Sequence, residues 1–431
     1  MAAHQPAAHV VGAARRRWLT DRVGEGNPVG MASIHMDVVV VGGGIIGTSI
    51  AHALARRGVR NVLLLEQRAT NANTPHSAFG IVRTYHTNRV MVSFARRSLR
   101  LYDQFEDEIG GTPAYERTGM LVLVPEGEQE ALEANVGVAT HLGSKVRFLP
   151  TSADVRSLES RIDLTGVAAA AYEAEAGYGD PVRTAVSFAI RARDLGVQVR
   201  QGIRILRIDT AGEAGDRRIT GVLTDGGHVN TSCIVNAGGW GPVISEMVGV
   251  HLPVVSYRYL GVLFRHPPGF GGAHAITLDL VSGVVMRPTG PGFTLVGPLG
   301  AVTEDEAPPG WDDPRIDQSG APEYQTLLRR RYPELVTANV RASWAATHDV
   351  SPDWYPMIGP VDGVDGYYCA LGMGGYGFAL APAVGELVAR LVTDESDDGS
   401  VRPKRSRDLD PRSHAYFFRP NRFDGRKPER G

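Results

Sequence analysis

The feature that most constrains this chain is a run of four valines followed at once by a glycine-rich turn. Val38-Val39-Val40-Val41 is β-branched throughout, as in a strand buried on both faces. Gly42-Gly43-Gly44-Ile45-Ile46-Gly47 comes next and matches G-x-G-x-x-G. Residues 45–57 then carry apolar side chains at helical spacing, and Gly58 is placed to stop the helix. Val62-Leu63-Leu64-Leu65 reads as a second buried strand, ending at Glu66. Strand, turn, helix and strand make a βαβ unit, and the glycines fall where such a unit receives a dinucleotide. Gly42 makes the tight turn, Gly44 lets the backbone approach a pyrophosphate, and Gly47 lets the helix pack on the strand. The phosphates then meet the free N–H groups and the positive end of the helix. Glu66 is placed to accept hydrogen bonds from ribose hydroxyls. This fingerprint does not separate NAD from FAD.

The rest of the chain builds around that unit. A length of 431 residues exceeds one ordinary core, so two interlocked domains are expected. Residues 181–194 read as a helix and 197–208 as two short strands. Residues 219–224 and 228–235 read as an antiparallel pair around Gly226-Gly227. Residues 251–300 alternate in the manner of an antiparallel sheet, and 381–391 form a last helix. The charged run 394–407 reads as solvated linker. The fold class is α/β: a Rossmann-like nucleotide-binding domain with a second α+β domain, built on an antiparallel sheet, for substrate.

Composition excludes several functions. A formal net charge of -2, with no basic stripe or reader motif, argues against nucleic acid as a partner. No apolar run reaches the roughly 18–20 residues of a membrane span. Arg15-Arg16-Arg17 has the look of a twin-arginine signal, but residues 20–30 are polar and glycine-rich, so the apolar stretch is missing. Residues 1–35 read as a disordered extension, with Met31 and Met36 both standing just before the first strand. Cys233 and Cys369 lie far apart in apparent core segments, which argues against a disulfide framework or a cysteine metal site and suits a cytoplasmic protein.

Further segments carry a resemblance. They are His76-Ser77-Ala78-Phe79-Gly80-Ile81-Val82-Arg83, Gly177-Tyr178-Gly179-Asp180-Pro181 and Val235-Asn236-Ala237-Gly238-Gly239-Trp240. Ser351-Pro352-Asp353, Pro356-Met357-Ile358-Gly359 and Gly372-Met373-Gly374-Gly375-Tyr376-Gly377-Phe378 complete the series. In this order, with the βαβ unit, they resemble the D-amino-acid oxidase superfamily of flavoproteins, in the branch of sarcosine oxidase, dimethylglycine dehydrogenase and glycine oxidase. The resemblance runs from about Met36 to Arg422. It implies FAD, held by contacts from several segments. These are Gly42, Gly44, Ile45, Ile46 and Gly47, then Glu66, Gln67 and Arg68, then Ser77, Gly80 and Ile81. Ile205, Gly238, Trp240, Gly372, Gly374, Gly375, Gly377 and Phe378 follow. The second glycine segment opens a helix, whose N-terminus would stabilise negative charge on reduced flavin. The implied division is an FAD-binding domain of residues 36–89, 175–250 and 340–400. A substrate domain takes residues 90–174 and 251–339, and a C-terminal tail takes 401–431.

On the substrate side, the resemblance implies oxidation of the C–N bond of an amine or amino acid. Arg83 stands where the matching arginine of sarcosine oxidase holds the substrate carboxylate, and a planar guanidinium suits that task. His348 and Tyr376 replace a tyrosine and a histidine beside the flavin. Tyr257, Tyr259 and His86 are further pocket candidates. Ala379 stands where a second cation would share the carboxylate, and Ala346 where a cysteine would tether the flavin. No lysine in 284–288 matches the one that assists oxygen, so O2 or another electron acceptor stays open. His76 lies one residue off the tethering histidine of dimethylglycine dehydrogenase, so the flavin is expected to be non-covalent. Oxidation of a 2-hydroxy acid or glycerol phosphate, an NAD dehydrogenase and a non-catalytic assembly role are the competing readings.

Overall fold

A computed structural model describes residues 34–68, 79–111, 113, 115–239, 241–300, 320–393, 401 and 404–423. A six-stranded sheet lies at the centre of the nucleotide-binding part. Its order is Gln198–Gln201, Val62–Glu66, Val38–Val41, Ile234–Asn236, Tyr367–Leu371 and Met357–Pro360. All neighbours run parallel except the last pair. The valine run is apolar at every position because both faces are covered. Val38 and Val40 meet a layer of helices that includes Ile45–Arg56, Arg89–Asp103 and Gly377–Thr393. Val39 and Val41 meet the other side, where a five-stranded sheet contributes Ile205, Ile208, Val222 and Val229.

The second sheet has eight strands, in the order Asn339–Val350, Val255–Arg265, Phe293–Pro298, Val284–Pro288, Ile276–Asp279, Met120–Val124, Ala169–Glu173 and Val146–Leu149. It is antiparallel except where Ile276–Asp279 meets Met120–Val124. One face packs on the helix Ala321–Arg331 through Val262, Phe264 and Met286. The opposite face carries Val122, Ala171 and Val285 toward Ile81 and Tyr178. Ile81–Val82, Gly177–Tyr178 and Glu116–Arg117 form a small three-stranded sheet between the two large ones.

The structure differs from several expectations, each time for a physical reason. Residues 228–235 are not one strand. Gly227–Asn230 belongs to the five-stranded sheet and Ile234–Asn236 to the parallel one, with a turn in which Cys233 N–H donates to Thr231 Oγ1 at 3.2 Å. The last long helix starts at Gly377, before Pro382 rather than at residue 381. Pro382 has no N–H for the Phe378 carbonyl, and the Tyr102 hydroxyl donates to that carbonyl at 2.6 Å instead. Ile34–His35, expected in the extension, pair as a strand with Val229 and Asn230. The helix Arg89–Asp103, expected with the substrate domain, packs Met91, Phe94 and Ala95 into the core of the nucleotide-binding part. Asn339–Val350 runs in the eight-stranded sheet rather than with the nucleotide-binding strands. Leu409, Ala415 and Phe418, expected in a tail, are buried in the core of the nucleotide-binding part, where the Phe418 ring meets Phe94.

Several histidines are buried in this framework. Burial pushes His52, His266 and His274 from an ordinary 6.5 down to about 4. The folded state therefore refuses protons that the unfolded chain accepts. Stability is full above about pH 6.5 and is lost as pH falls toward about 4, by roughly 3 kcal/mol for each such group. Thermal melting followed across pH 7.5 to 4 should show a steep fall below 6.5. A flat profile would contradict this account.

Among the described residues, no helix is long and apolar enough to cross a membrane. Cys233 and Cys369 are both free and buried.

Candidate active site

The first glycine turn shows which glycines serve packing and which do not. Gly42 has a φ of +102°, and a Cβ there would lie 2.7 Å from the Ala237 carbonyl oxygen. A Cβ on Gly47 would lie 1.8 Å from the Gly42 carbonyl oxygen, so the helix can approach the turn only through a glycine. Gly44 is different. Its φ is -73°, and a Cβ there would meet no atom within 4 Å. Neither backbone strain nor protein packing requires this glycine. It caps the N-terminus of Ile45–Arg56, which has no capping side chain and no acidic residue in its first turn. The open space there lies before unsatisfied N–H groups, the arrangement that receives a phosphate.

Glu66 is fixed at the end of its strand. Its Oε2 accepts from Gly43 N–H at 2.7 Å, and its Oε1 accepts from Arg68 N–H at 2.8 Å. The Glu66 carbonyl takes Ile203 N–H at 3.0 Å, and the Arg68 carbonyl takes Gly202 N–H at 3.3 Å. Glu66 and Arg68 are thus tied to residues 202–203, just before Ile205. Gln67 follows Glu66 on the same turn and is exposed. Gly238 N–H donates to Asn236 Oδ1 at 3.2 Å. Ser77, Trp240 and His76 lie outside the described residues.

The second glycine segment has positive φ at Gly372, Gly374 and Gly375, of 63°, 52° and 91°. Those values turn the chain into the N-terminus of Gly377–Thr393. Gly374 N–H donates to the Asp349 carbonyl at 2.9 Å, which ties this turn to the edge of the eight-stranded sheet. A Cβ on Gly375 would sit 3.7 Å from the His348 ring. Gly80, with φ +61°, takes Gly179 N–H on its carbonyl at 2.9 Å, and Ile81 pairs with Tyr178. Phe378 turns its ring inward onto Tyr102 at 5.2 Å, so any contact it makes with a cofactor is through backbone.

The eight-stranded sheet presents aromatic residues toward this turn. His348 lies opposite Tyr257 and Ala346 opposite Tyr259, and paired residues share a face. The rings of His348 and Tyr259 stack at 4.4 Å. Burial holds His348 down at about 4, so it is neutral at pH 7. From the other wall, the rings of Tyr376 and His86 meet at 5.6 Å. His86 is buried, its Nε2 has no partner, and burial together with the Arg83 charge keeps it well below its usual range. Arg83 Nη1 donates to the Tyr85 carbonyl at 2.8 Å. Glu173 is held by the segment after Arg83, where Thr84 N–H, Thr84 Oγ1 and Tyr85 N–H donate to it at 2.7, 2.6 and 2.9 Å. Burial raises the Glu173 carboxyl despite these donors. Tyr376 and His348 therefore meet at the second glycine turn, and Arg83 is linked to Tyr376 through His86, on which its charge acts. The sequence left His86 open and gave no sign of Glu173, whose role depends on Thr84 lying 89 residues away.

The family model described as DAO, FAD dependent oxidoreductase, matches residues 37–391. The chain belongs to that family. Among its relatives, 4-methylaminobutanoate oxidase (formaldehyde-forming) of Paenarthrobacter nicotinovorans is 27% identical over 370 residues, covering 83% of this chain and 44% of that protein. Mitochondrial dimethylglycine dehydrogenase of Rattus norvegicus is 24% identical over 371 residues, covering 83% and 43%. The chain thus spans less than half the length of these two relatives. The crystal structure of L-proline dehydrogenase from P. horikoshii shares the fold with a TM-score of 0.78, at 24% identity, covering 91% of this chain and 99% of that one.

As a DAO family member, the protein is an FAD-dependent oxidoreductase. Its residues fit the cofactor. The space before Gly44 would receive a pyrophosphate, Glu66 would meet the ribose, and the turn 372–377 would lie at the flavin end. Trp344 Nε1, buried and without a partner, is carried by the same strand as Ala346 and His348. Ala346 offers no sulfur for a flavin bond. Acid precipitation is therefore expected to release yellow flavin into the supernatant. Colour staying in the pellet would point to a covalent link such as one through His76.

Proposed function

We propose that the protein oxidises the C–N bond of a secondary or tertiary amine or amino acid, of the N-methyl or cyclic type, to an imine that water then hydrolyses. The observation that supports this reading is the set of neutral rings of His348, Tyr376 and His86 around the second glycine turn, with the charge of Arg83 acting on His86. Relatives named for 4-methylaminobutanoate and dimethylglycine support the substrate class. FAD, when bound, supplies the hydride acceptor. The chain's own residues do the rest. Arg83 pairs with the substrate carboxylate, and the rings of Tyr259, His348 and Tyr376 exclude water around the donor carbon. A protonated amine holds no lone pair to assist hydride loss, so a proton must leave first. The electrons pass on to O2 or another acceptor.

The test is anaerobic mixing of the FAD-loaded protein with N-methyl and cyclic amino acids while flavin absorbance is followed. Bleaching by amines and not by 2-hydroxy acids or glycerol phosphate is expected. Bleaching by the hydroxy compounds alone would overturn the reading.

A further inference from the structure

Among the described residues, the guanidinium groups of Arg331 and Arg422 are buried against carboxylates, and that of Arg287 is buried without one. Arg331 is fully buried and donates from Nε to Asp279 Oδ2 at 2.9 Å and from Nη1 to the Asp163 carbonyl at 2.7 Å. Arg422 meets Asp353 through Nε and Nη2, both at 2.8 Å. Arg287 is only 8% exposed and has no such partner. Its Nη1 donates to the Pro288 carbonyl at 3.1 Å. Its Nε is buried without a partner, and Nη2 meets no acceptor among the described residues.

The nearby acids are engaged elsewhere. Glu116 accepts from the Tyr178 hydroxyl at 2.7 Å, and Asp180 caps the helix Pro181–Asp194. Both reach Arg287 only as distant charges. Burial lowers the guanidinium to about 10, so it is still charged at neutral pH. An uncompensated buried charge is costly, and such groups normally persist only with a counter-ion.

The position of Arg287 says where that counter-ion comes from. Arg287 lies opposite Leu295, and Leu295 lies opposite Leu263, four residues along the strand from Tyr259. Alternation along strands puts Arg287 and Tyr259 on one face of the sheet, the face that also presents His348. The guanidinium lies over the Tyr178 ring at 4.4 Å, and the Arg287 charge acts on Tyr259. Thr289, two residues on, has a buried hydroxyl that also lacks a partner. The free donors Nε and Nη2 share one edge of the guanidinium, and that edge takes a carboxylate in two parallel hydrogen bonds.

We propose that Arg287, with the Thr289 hydroxyl and the Tyr178 ring, forms a carboxylate-binding subsite of the substrate cleft. The inference deepens the amine reading, since it names an acid group that the substrate must carry. That group is either the acid of the amino acid itself or a second acid on its side chain.

The experiment uses the FAD-loaded full chain without turnover and two probes, propionate and malonate. Binding is measured by calorimetry on wild type, Arg287→Met and Arg287→Lys. Thermal melting of wild type is compared in each probe and in sodium chloride of equal ionic strength. Wild type should melt higher in carboxylate than in chloride. Arg287→Met should bind roughly tenfold to a hundredfold more weakly, the usual scale for losing a charged hydrogen-bond partner. Arg287→Lys should recover part of that loss. Weakening for both probes assigns the amino acid's own carboxylate, and weakening for malonate alone assigns a second one. Wild-type affinity in Arg287→Met would overturn the proposal. So would carboxylates that stabilise wild type no more than chloride, a result that stands even if the methionine variant fails to fold. A protein that no amine bleaches, yet that loses carboxylate affinity in Arg287→Met, would sink the amine reading and keep this one.

Discussion

Gly44→Val should give a colourless protein that is still folded. A side chain at this position meets no protein atom within 4 Å, so the native packing has room for it. The residue sits at a helix N-cap with φ -73°, which valine can adopt at a cost of about 1 kcal/mol or less. The same space lies before the N–H groups of the helix Ile45–Arg56, where the FAD pyrophosphate must come. Blocking two or three charge-assisted hydrogen bonds at about 1.5–3 kcal/mol each weakens binding by several hundredfold or more. Gly47→Val makes the contrast. Its Cβ would collide with the Gly42 carbonyl at 1.8 Å, so the fold itself should fail. Flavin content by absorbance and melting by circular dichroism separate the two outcomes. Normal flavin content in a folded Gly44→Val protein would show that the pyrophosphate lies elsewhere.

That contrast also shows what a linear chain reveals. The fingerprint is legible because its parts are local: strand, turn, helix and strand occupy residues 38–66, and each glycine has a role set by its neighbours. The antiparallel character of 251–300 is legible through alternation. What escapes is anything fixed by distant partners. The start of the last helix was hidden because Pro382 suggests a break there, and the group that repairs it, Tyr102, lies 276 residues from Phe378. Residues 228–235 read as one strand because both pieces are apolar, and only the two sheets they join divide them. Nothing in the sequence sets Arg287 apart from the other arginines. Its meaning lies in having no carboxylate hydrogen-bonded to it among the described residues, and that leaves no mark in a sequence. Arg83 was legible only through its motif, and its surroundings, Glu173 and His86, came from the fold.

Arg83→Ala should lower kcat/KM on the best carboxylate substrate by tenfold to several hundredfold, while leaving flavin content unchanged. An amino acid entering an enclosed flavin cleft brings a carboxylate out of water, and that is costly unless a cation meets it. Arg83 is only partly committed within the protein. Nη1 is held by the Tyr85 carbonyl at 2.8 Å, which fixes the side chain rather than neutralising it. Glu173, whose charge reaches Arg83, is engaged by three other donors. Ala379 lies in the helix that follows the second glycine turn and provides no charge to share the task. Losing a charged partner costs about 1.5–3 kcal/mol, and more when it strands a buried charge, at about 1.4 kcal/mol per factor of ten in rate. Arg83→Lys should recover only part, because a point charge lacks the planar fork. Steady-state kinetics on both variants, with flavin occupancy measured alongside, gives the answer. Unchanged kinetics in Arg83→Ala would move the carboxylate to another residue, with Arg287 the first to examine. An equal loss on an amine without any carboxylate would mean that Arg83 acts by holding Tyr85 and the loop through His86 in place, and binds no acid group.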